Sequence, residues 1–124
     1  MTALETMARQ RTVLLETRKR DGTWVATPVS IVADGGRLFF RTYDAAGKAK
    51  RLRNFPEVRV APSTFRGRPT GPAVTGTARL LDGDEAVRAG ALLAAKYPWL
   101  HGRMVPAVHR RKGWRTLHYR LELH

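Results

Sequence analysis

Two tight-turn signals, Asp21-Gly22 and Asp34-Gly35-Gly36, each stand between runs of strand-forming residues. Turns this short join antiparallel neighbours, so the first third of the chain is committed to hairpins. The runs they connect are Thr12 to Thr17, Trp24 to Ala33 and Arg37 to Thr42. Pro28 cannot donate to a ladder, so the second run must have an edge, a bulge or a break there. Three further runs follow: Glu57 to Thr64, Ala73 to Leu81 and Trp114 to Leu123. Phe65 to Pro72, FRGRPTGP, is an irregular connection dense in glycine, proline and arginine. Helical patterns cover Thr2 to Gln10, a short basic segment after Asp44, and Asp82 to Lys96, where Asp82 or Asp84 offers a cap and Pro98 a stop. Tyr97 to Gly113 reads as a long connection, of the kind that is usually functional or mobile. About six strands with two or three helices, and no regular alternation of strand and helix, predict a mainly β (α+β) fold, a small six-stranded antiparallel barrel. At 124 residues, positions 1–124 form a single domain.

With 43% hydrophobic residues the chain can build a core, and its net charge of +13 calls for an acidic partner. Nucleic acid, an anionic membrane surface and a small polyanion all satisfy that requirement. There is no cysteine, so disulfide and thiolate chemistry are excluded. No apolar run approaches the roughly 20 residues of a membrane span, and MTALETMARQ has no signal-peptide core. These features predict a soluble cytoplasmic protein.

A run of cations without internal acidic partners lies in Leu38 to Pro56, LFFRTYDAAGKAKRLRNFP. A strand ends at Arg41 and Thr42, Asp44 offers a helix cap, and Lys48, Lys50, Arg51 and Arg53 follow within one and a half turns. Free backbone donors at a helix start, flanked by cations, are the usual recipe for holding a phosphate. Gly47 is small enough for a ligand to come close. The plain alternative is a solvated charged face. Against it stands the lack of acidic partners within a turn, since Asp44 precedes the run and Glu57 follows it.

The remaining inventory excludes more than it offers. His101, His109, His118 and His124 show no recognised metal spacing, no carboxylate pair stands out, and no serine sits in a nucleophile elbow. Neither a P-loop nor a dinucleotide fingerprint is present. What is left is a binding module, or an enzyme whose reactive atoms belong to a bound cofactor.

The segments KRDGTWVATPVSIVADGGRLFFRT, GKAKRLRNFPEVRVAP and RGRPTGPAVTGTARLL, in that order, resemble the split β-barrel flavin and deazaflavin oxidoreductases, those similar to pyridoxamine 5'-phosphate oxidase. Within them the chain looks most similar to the branch that uses coenzyme F420. The likeness spans Arg11 to Leu81 and, loosely, the final strand. It rests on a TPV strand, an RT strand end and a GK-x-KRLR-x-x-P helix. It implies a homodimer with two interfacial cofactor sites. In each, Thr27, Pro28 and Val29 lie along the deazaflavin ring, Arg41 and Thr42 approach ring and linker, and Lys48, Ala49, Lys50 and Arg51 hold the phosphate. Ala61, Pro62, Ser63, Thr64 and Arg66 form a further wall. The resemblance does not reach Tyr97 to Gly113; its length, aromatics and basic residues predict that it borders the substrate side, with a surface loop around one core tryptophan as the plain alternative. The implied activity is hydride transfer between F420 and an unsaturated or conjugated acceptor, for which positioning matters more than a protein acid. FMN or haem in the same fold is an alternative. A nucleic-acid-binding protein is another, although no recognised motif for one is present.

Overall fold

The computed structural model describes residues 2–124. Its elements in chain order are α1 (Ala3–Ala8), β1 (Thr12–Arg18), β2 (Trp24–Ser30), β3 (Val32–Asp34), β4 (Arg37–Tyr43), α2 (Gly47–Asn54), β5 (Glu57–Pro62), β6 (Val74–Leu80), α3 (Gly83–Lys96), a π-helical turn (Leu100–Met104), α4 (Val105–Lys112) and β7 (Thr116–Leu123). The seven strands form one antiparallel sheet in the order β2-β1-β5-β6-β7-β4-β3. This is the curled half-barrel of the split-barrel fold, with seven strands where the sequence predicts six and four α-helices where it predicts two or three.

The extra strand comes from dividing Trp24–Ala33. β2 and β3 occupy opposite ends of the sheet, yet only Ile31 separates them in the chain. The polypeptide turns a corner at Ile31, leaving one sheet edge and entering the other. Pro28 sits on β2, an end strand of the sheet that pairs with β1, so the missing N–H falls on an edge strand. The corner carbonyl is held from elsewhere: Lys96 Nζ donates to Ile31 O at 2.7 Å and Tyr97 Oη donates to it at 2.6 Å. Lys96 also donates to Gln10 O at 2.7 Å, and the single Tyr97 hydroxyl proton is shared between Ile31 O and Arg11 O, the latter at 2.7 Å. The end of α3 is thereby fastened to the start of β1 and to the β2–β3 corner. Burial lowers the Lys96 pKa, helped by nearby Arg11, and raises that of Tyr97.

Side-chain alternation sets the layers. Val13, Leu15 and Thr17 of β1, Val58 and Val60 of β5, Leu38 and Phe40 of β4, and Leu117, Tyr119 and Leu121 of β7 all turn inward. Ala49 and Leu52 of α2 and Met7 of α1 close this core, and Phe40 stacks on its cross-strand partner Tyr119 at 5.1 Å. On the other face of β4, Phe39 packs with Ala89, Leu93 and Tyr97 under α3. Positive φ at Gly35 (56°) and Gly36 (81°) confirms the expected turn into β4.

Three local expectations are corrected. Asp44 does not cap α2: the N-cap is Ala46, with no side-chain cap, and the Asp44 carboxylate accepts the Arg115 N–H at 3.1 Å, tying β4 to β7. Asp82 stands at the N-cap of α3 without a capping hydrogen bond, leaving Asp84 and Glu85 to complement the dipole. Tyr97 to Gly113 is mostly helical, and bonds such as Met104 N to Trp99 O (3.0 Å) give it a π-helical turn. Pro106 lies at the opening of α4, where its missing N–H is tolerated. Among the described residues no helix is long and apolar enough to cross a membrane.

Tyr97→Phe removes one of two donors to a buried carbonyl. It is expected to cost about 1–3 kcal/mol and to lower Tm by several degrees in a thermal melt, with no loss of β-sheet signal at 25 °C.

Candidate functional site

The basic helix is built as a cradle. Arg51 folds back over the helix start: a Cβ placed on Gly47 would lie 2.8 Å from its guanidinium Nη1. Gly47 therefore makes room for Arg51 itself. The guanidinium is pinned from below, Arg51 Nε donating to Thr17 Oγ1 at 2.6 Å, and Thr17 is completely buried. Beside it Lys48 is half-buried, and its pKa is lowered first by burial and then by repulsion from Arg51. Among the described residues the ion pairs join Arg37, Arg59, Arg88 and Arg120 to carboxylates, and none includes Lys48, Lys50, Arg51 or Arg53. The start of α2 thus combines uncapped N–H groups with two converging cations that no carboxylate neutralises.

A second feature lies one step away on the same face. Thr17 pairs with Val25 and Leu15 with Thr27, so Thr17 and Thr27 are diagonal neighbours across β1 and β2. The Thr27 hydroxyl is buried and has no hydrogen-bond partner among the described residues. Burying such a group without a partner is costly, so it points to an unfilled polar contact. It suits a ligand that brings a phosphate to α2 and a polar ring edge to β2. Pro28, next along the edge, faces the outer side, where the hairpin tip at Gly67 packs against it and Leu14. Val29 is buried in the core.

The other predicted site residues are dispersed. Lys50 is exposed and Ala49 is fully buried as a packing residue. Arg41 and Thr42 do not act together: Thr42 turns into the core side, while Arg41 points to the opposite face, where its Nε donates to His101 Nδ1 at 2.8 Å and its Nη2 donates to His101 O. Ala61, Pro62 and Ser63 are buried on β5 and just beyond it, and Thr64 and Arg66 are exposed at the hairpin tip. Pro62 pairs with Val13, whereas Val58 pairs with Thr17, which places this wall ~13 Å along the strand from the Arg51 anchor. Within the chain the Arg51 anchor and the wall lie apart.

Beneath the helical layer lies a histidine cluster that the sequence reading did not assign. His101 sits against Arg41, His118 is the cross-strand partner of Arg41, and His109 Nδ1 bonds Thr116 Oγ1 at 2.6 Å. The His118 ring is admitted by Gly90 of α3, whose Cβ, if present, would meet Nε2 at 2.9 Å. His101 and His118 are each lowered from 6.5 to about 4, first by burial and then by Arg41. His109 is lowered by the same causes, while Asp44 acts in the opposite sense. The Arg41–His101 bond needs a neutral Nδ1 acceptor, which agrees with that direction. Thr17 was also missed. Its signal was a hydroxyl at the third inward position of an otherwise aliphatic strand.

The fold has close structural counterparts of low sequence identity. A protein of unknown function from Agrobacterium tumefaciens matches with a TM-score of 0.74 and 22% identity over 95% of this chain, which spans half the length of that protein (50%). The heme storage protein HutZ from Vibrio cholerae matches with a TM-score of 0.71 and 14% identity, covering 97% of this chain and 86% of its own. A protein from Listeria innocua proposed to be a pyridoxamine 5'-phosphate oxidase matches with a TM-score of 0.65 and 17% identity, covering 97% of this chain and 89% of its own. No protein-family model and no curated protein matches the chain. At these identities the likeness establishes the split-barrel fold.

Folding holds His101 and His118 neutral, so the unfolded chain binds more protons below pH 6.5 and stability falls as pH drops from about 6.5 toward about 4. His118→Asn removes one of these groups. Tm measured between pH 7 and pH 4.5 is expected to fall less steeply in that variant than in the wild type.

Proposed function

We propose that the chain is an oxidoreductase that uses coenzyme F420 to reduce an unsaturated or conjugated organic acceptor. The observation that carries this reading is the cradle: Lys48 and Arg51 converge, partly buried and without carboxylate partners, on the uncapped start of α2. Arg51, Lys48 and the α2 N–H groups would hold the phosphate, with Lys50 at the exposed rim where a poly-acidic tail leaves the protein. The Thr27 hydroxyl and the β2 edge would take the polar side of the ring. Bound there in reduced form, the deazaflavin supplies a hydride. The protein's part is to fix the ring against an edge strand and keep its anionic end neutralised, which needs no acid–base pair.

We propose further that two copies complete each site. The Ala61 to Arg66 wall, ~13 Å along the sheet from the Arg51 anchor, is out of reach of the phosphate and would line the ring end of a site that a second copy closes. A second reading keeps the cradle and exchanges the ligand for FMN or haem, supported by the likeness to the heme storage protein HutZ. The histidines at 101, 109 and 118 lie on the far side of β4 and β7 from α2, which favours a flavin-type ligand over haem at the cradle. A nucleic-acid reading draws only on the overall charge. It predicts binding that weakens steeply with salt and tolerates many sequences.

Titration of the purified protein with F420 and FMN side by side, followed by ring fluorescence, is expected to saturate at one F420 per chain. Lys48→Ala with Arg51→Ala should weaken that binding at least tenfold while the circular dichroism spectrum is retained; unchanged affinity would remove the cradle assignment. Thr27→Val separates ligand contact from structure. It removes an unpartnered buried hydroxyl, so Tm is expected to hold or rise while cofactor affinity drops.

A further inference from the structure

A cavity of about 440 Å³ opens where β1 begins and β2 ends, on the face of the sheet opposite the cradle. Its floor is the cross-strand pair Thr12 and Ser30, and its walls include Tyr97 and Trp99 from the end of α3 and Phe65 from the β5–β6 hairpin. Arg11 stands at its rim. We infer that this groove binds a planar aromatic or conjugated carboxylate and forms the acceptor side of the proposed reaction. The second half of that inference rests on the cofactor reading; the first half does not.

Phe65 is 76% exposed and Trp99 is 68% exposed, although they come from distant parts of the chain and line one cavity. Left uncovered, two such rings forgo the burial that large aromatics ordinarily contribute, and a flat π-system between them restores it. A cavity of this size, mostly apolar and with a few polar groups, is typical of small-molecule sites.

The rim supplies the charge preference. Arg11 makes no ion pair among the described residues. Its backbone carbonyl is held by Tyr97 Oη at 2.7 Å, so the residue is positioned while its guanidinium stays available for a bidentate carboxylate contact. Lys96, the neighbouring cation, is already engaged by Gln10 O and Ile31 O. Arg11 is therefore the group that selects an anion. The placement also fits the reaction: Phe65 belongs to the Ala61 to Arg66 wall assigned to the cofactor site, so an occupant of the groove would lie beside the ligand that this wall lines.

The test is calorimetric titration of cofactor-free protein with 2-naphthoate, with neutral 2-naphthalenemethanol, and with non-aromatic cyclohexanecarboxylate. One naphthoate per chain is expected, with the other two at least tenfold weaker. Arg11→Gln and Trp99→Ala should each lose at least tenfold for naphthoate with unchanged circular dichroism, whereas Arg79→Gln, an equal charge change on β6, should not. Binding that is absent, or indifferent to Arg11 and Trp99, or reduced equally by Arg79→Gln, overturns the inference. The Lys48→Ala/Arg51→Ala protein keeps the two questions separate. Naphthoate binding retained there with F420 binding lost supports two distinct sites, and naphthoate binding lost there together with F420 overturns a separate groove.

Discussion

The carbonyl of Ile31 is the point on which the architecture turns. A seven-stranded sheet whose two end strands are consecutive in the chain must bend the backbone at their junction, and the residue at the bend leaves both ladders. Ile31 is wholly buried, so its carbonyl cannot turn to water. Lys96 and Tyr97, 65 and 66 residues later in the chain, both donate to it. That requirement fixes where α3 ends, and with it the π-helical turn, the contact of Arg41 with His101, and the cavity between Tyr97, Trp99 and Arg11. One acceptor left outside both ladders thus ties the helical layer to the sheet.

The same geometry explains what the sequence did and did not disclose. Strand alternation was legible because each strand buries one face: Val58 and Val60 against Glu57 and Arg59, and Leu117, Tyr119 and Leu121 against Thr116, His118 and Arg120, all behave as period 2 requires. The Asp21-Gly22 and Gly35-Gly36 turns and the edge position of Pro28 followed from local chemistry. The corner at Ile31 was not legible, because the one local breaker in WVATPVSIVA is Pro28, three residues earlier; the corner itself is held by a lysine and a tyrosine from another part of the chain. The helices within 97–113 were hidden by Pro98, Gly102, Pro106 and Gly113, which read as breakers but fall at helix boundaries, inside the π-helical turn, or at a helix opening.

For the candidate site, the basic helix was visible as a run of cations, and its lack of acidic partners persists in three dimensions. The support beneath it was not visible. Thr17 holds Arg51, and Thr27 stands open beside Thr17, only because of the β1–β2 register. Arg41 shows the limit of reading neighbours as companions. Arg41 and Thr42 are adjacent in sequence, but successive strand residues face opposite ways, so one joins the histidine layer and the other the core.

The distribution of carboxylates differs between the two faces. Asp34, Glu85 and Glu122 neutralise Arg37, Arg88 and Arg120 around α3, and Glu16 pairs with Arg59 on the outer surface. Among the described residues, none of the ten acidic residues forms an ion pair with α2. Holding Lys48 and Arg51 in partial burial is a standing cost, visible as a Lys48 pKa lowered first by burial and then by repulsion from Arg51. A dispersed surface would avoid that cost by letting both side chains extend into water. Arg51 is prevented from doing so by its bond to a buried threonine, which means the fold retains the repulsion where it could have been relaxed. An anion bound at the start of α2 converts that repulsion into attraction for both cations at once, and the Arg51–Thr17 bond has already restricted the guanidinium before the anion arrives.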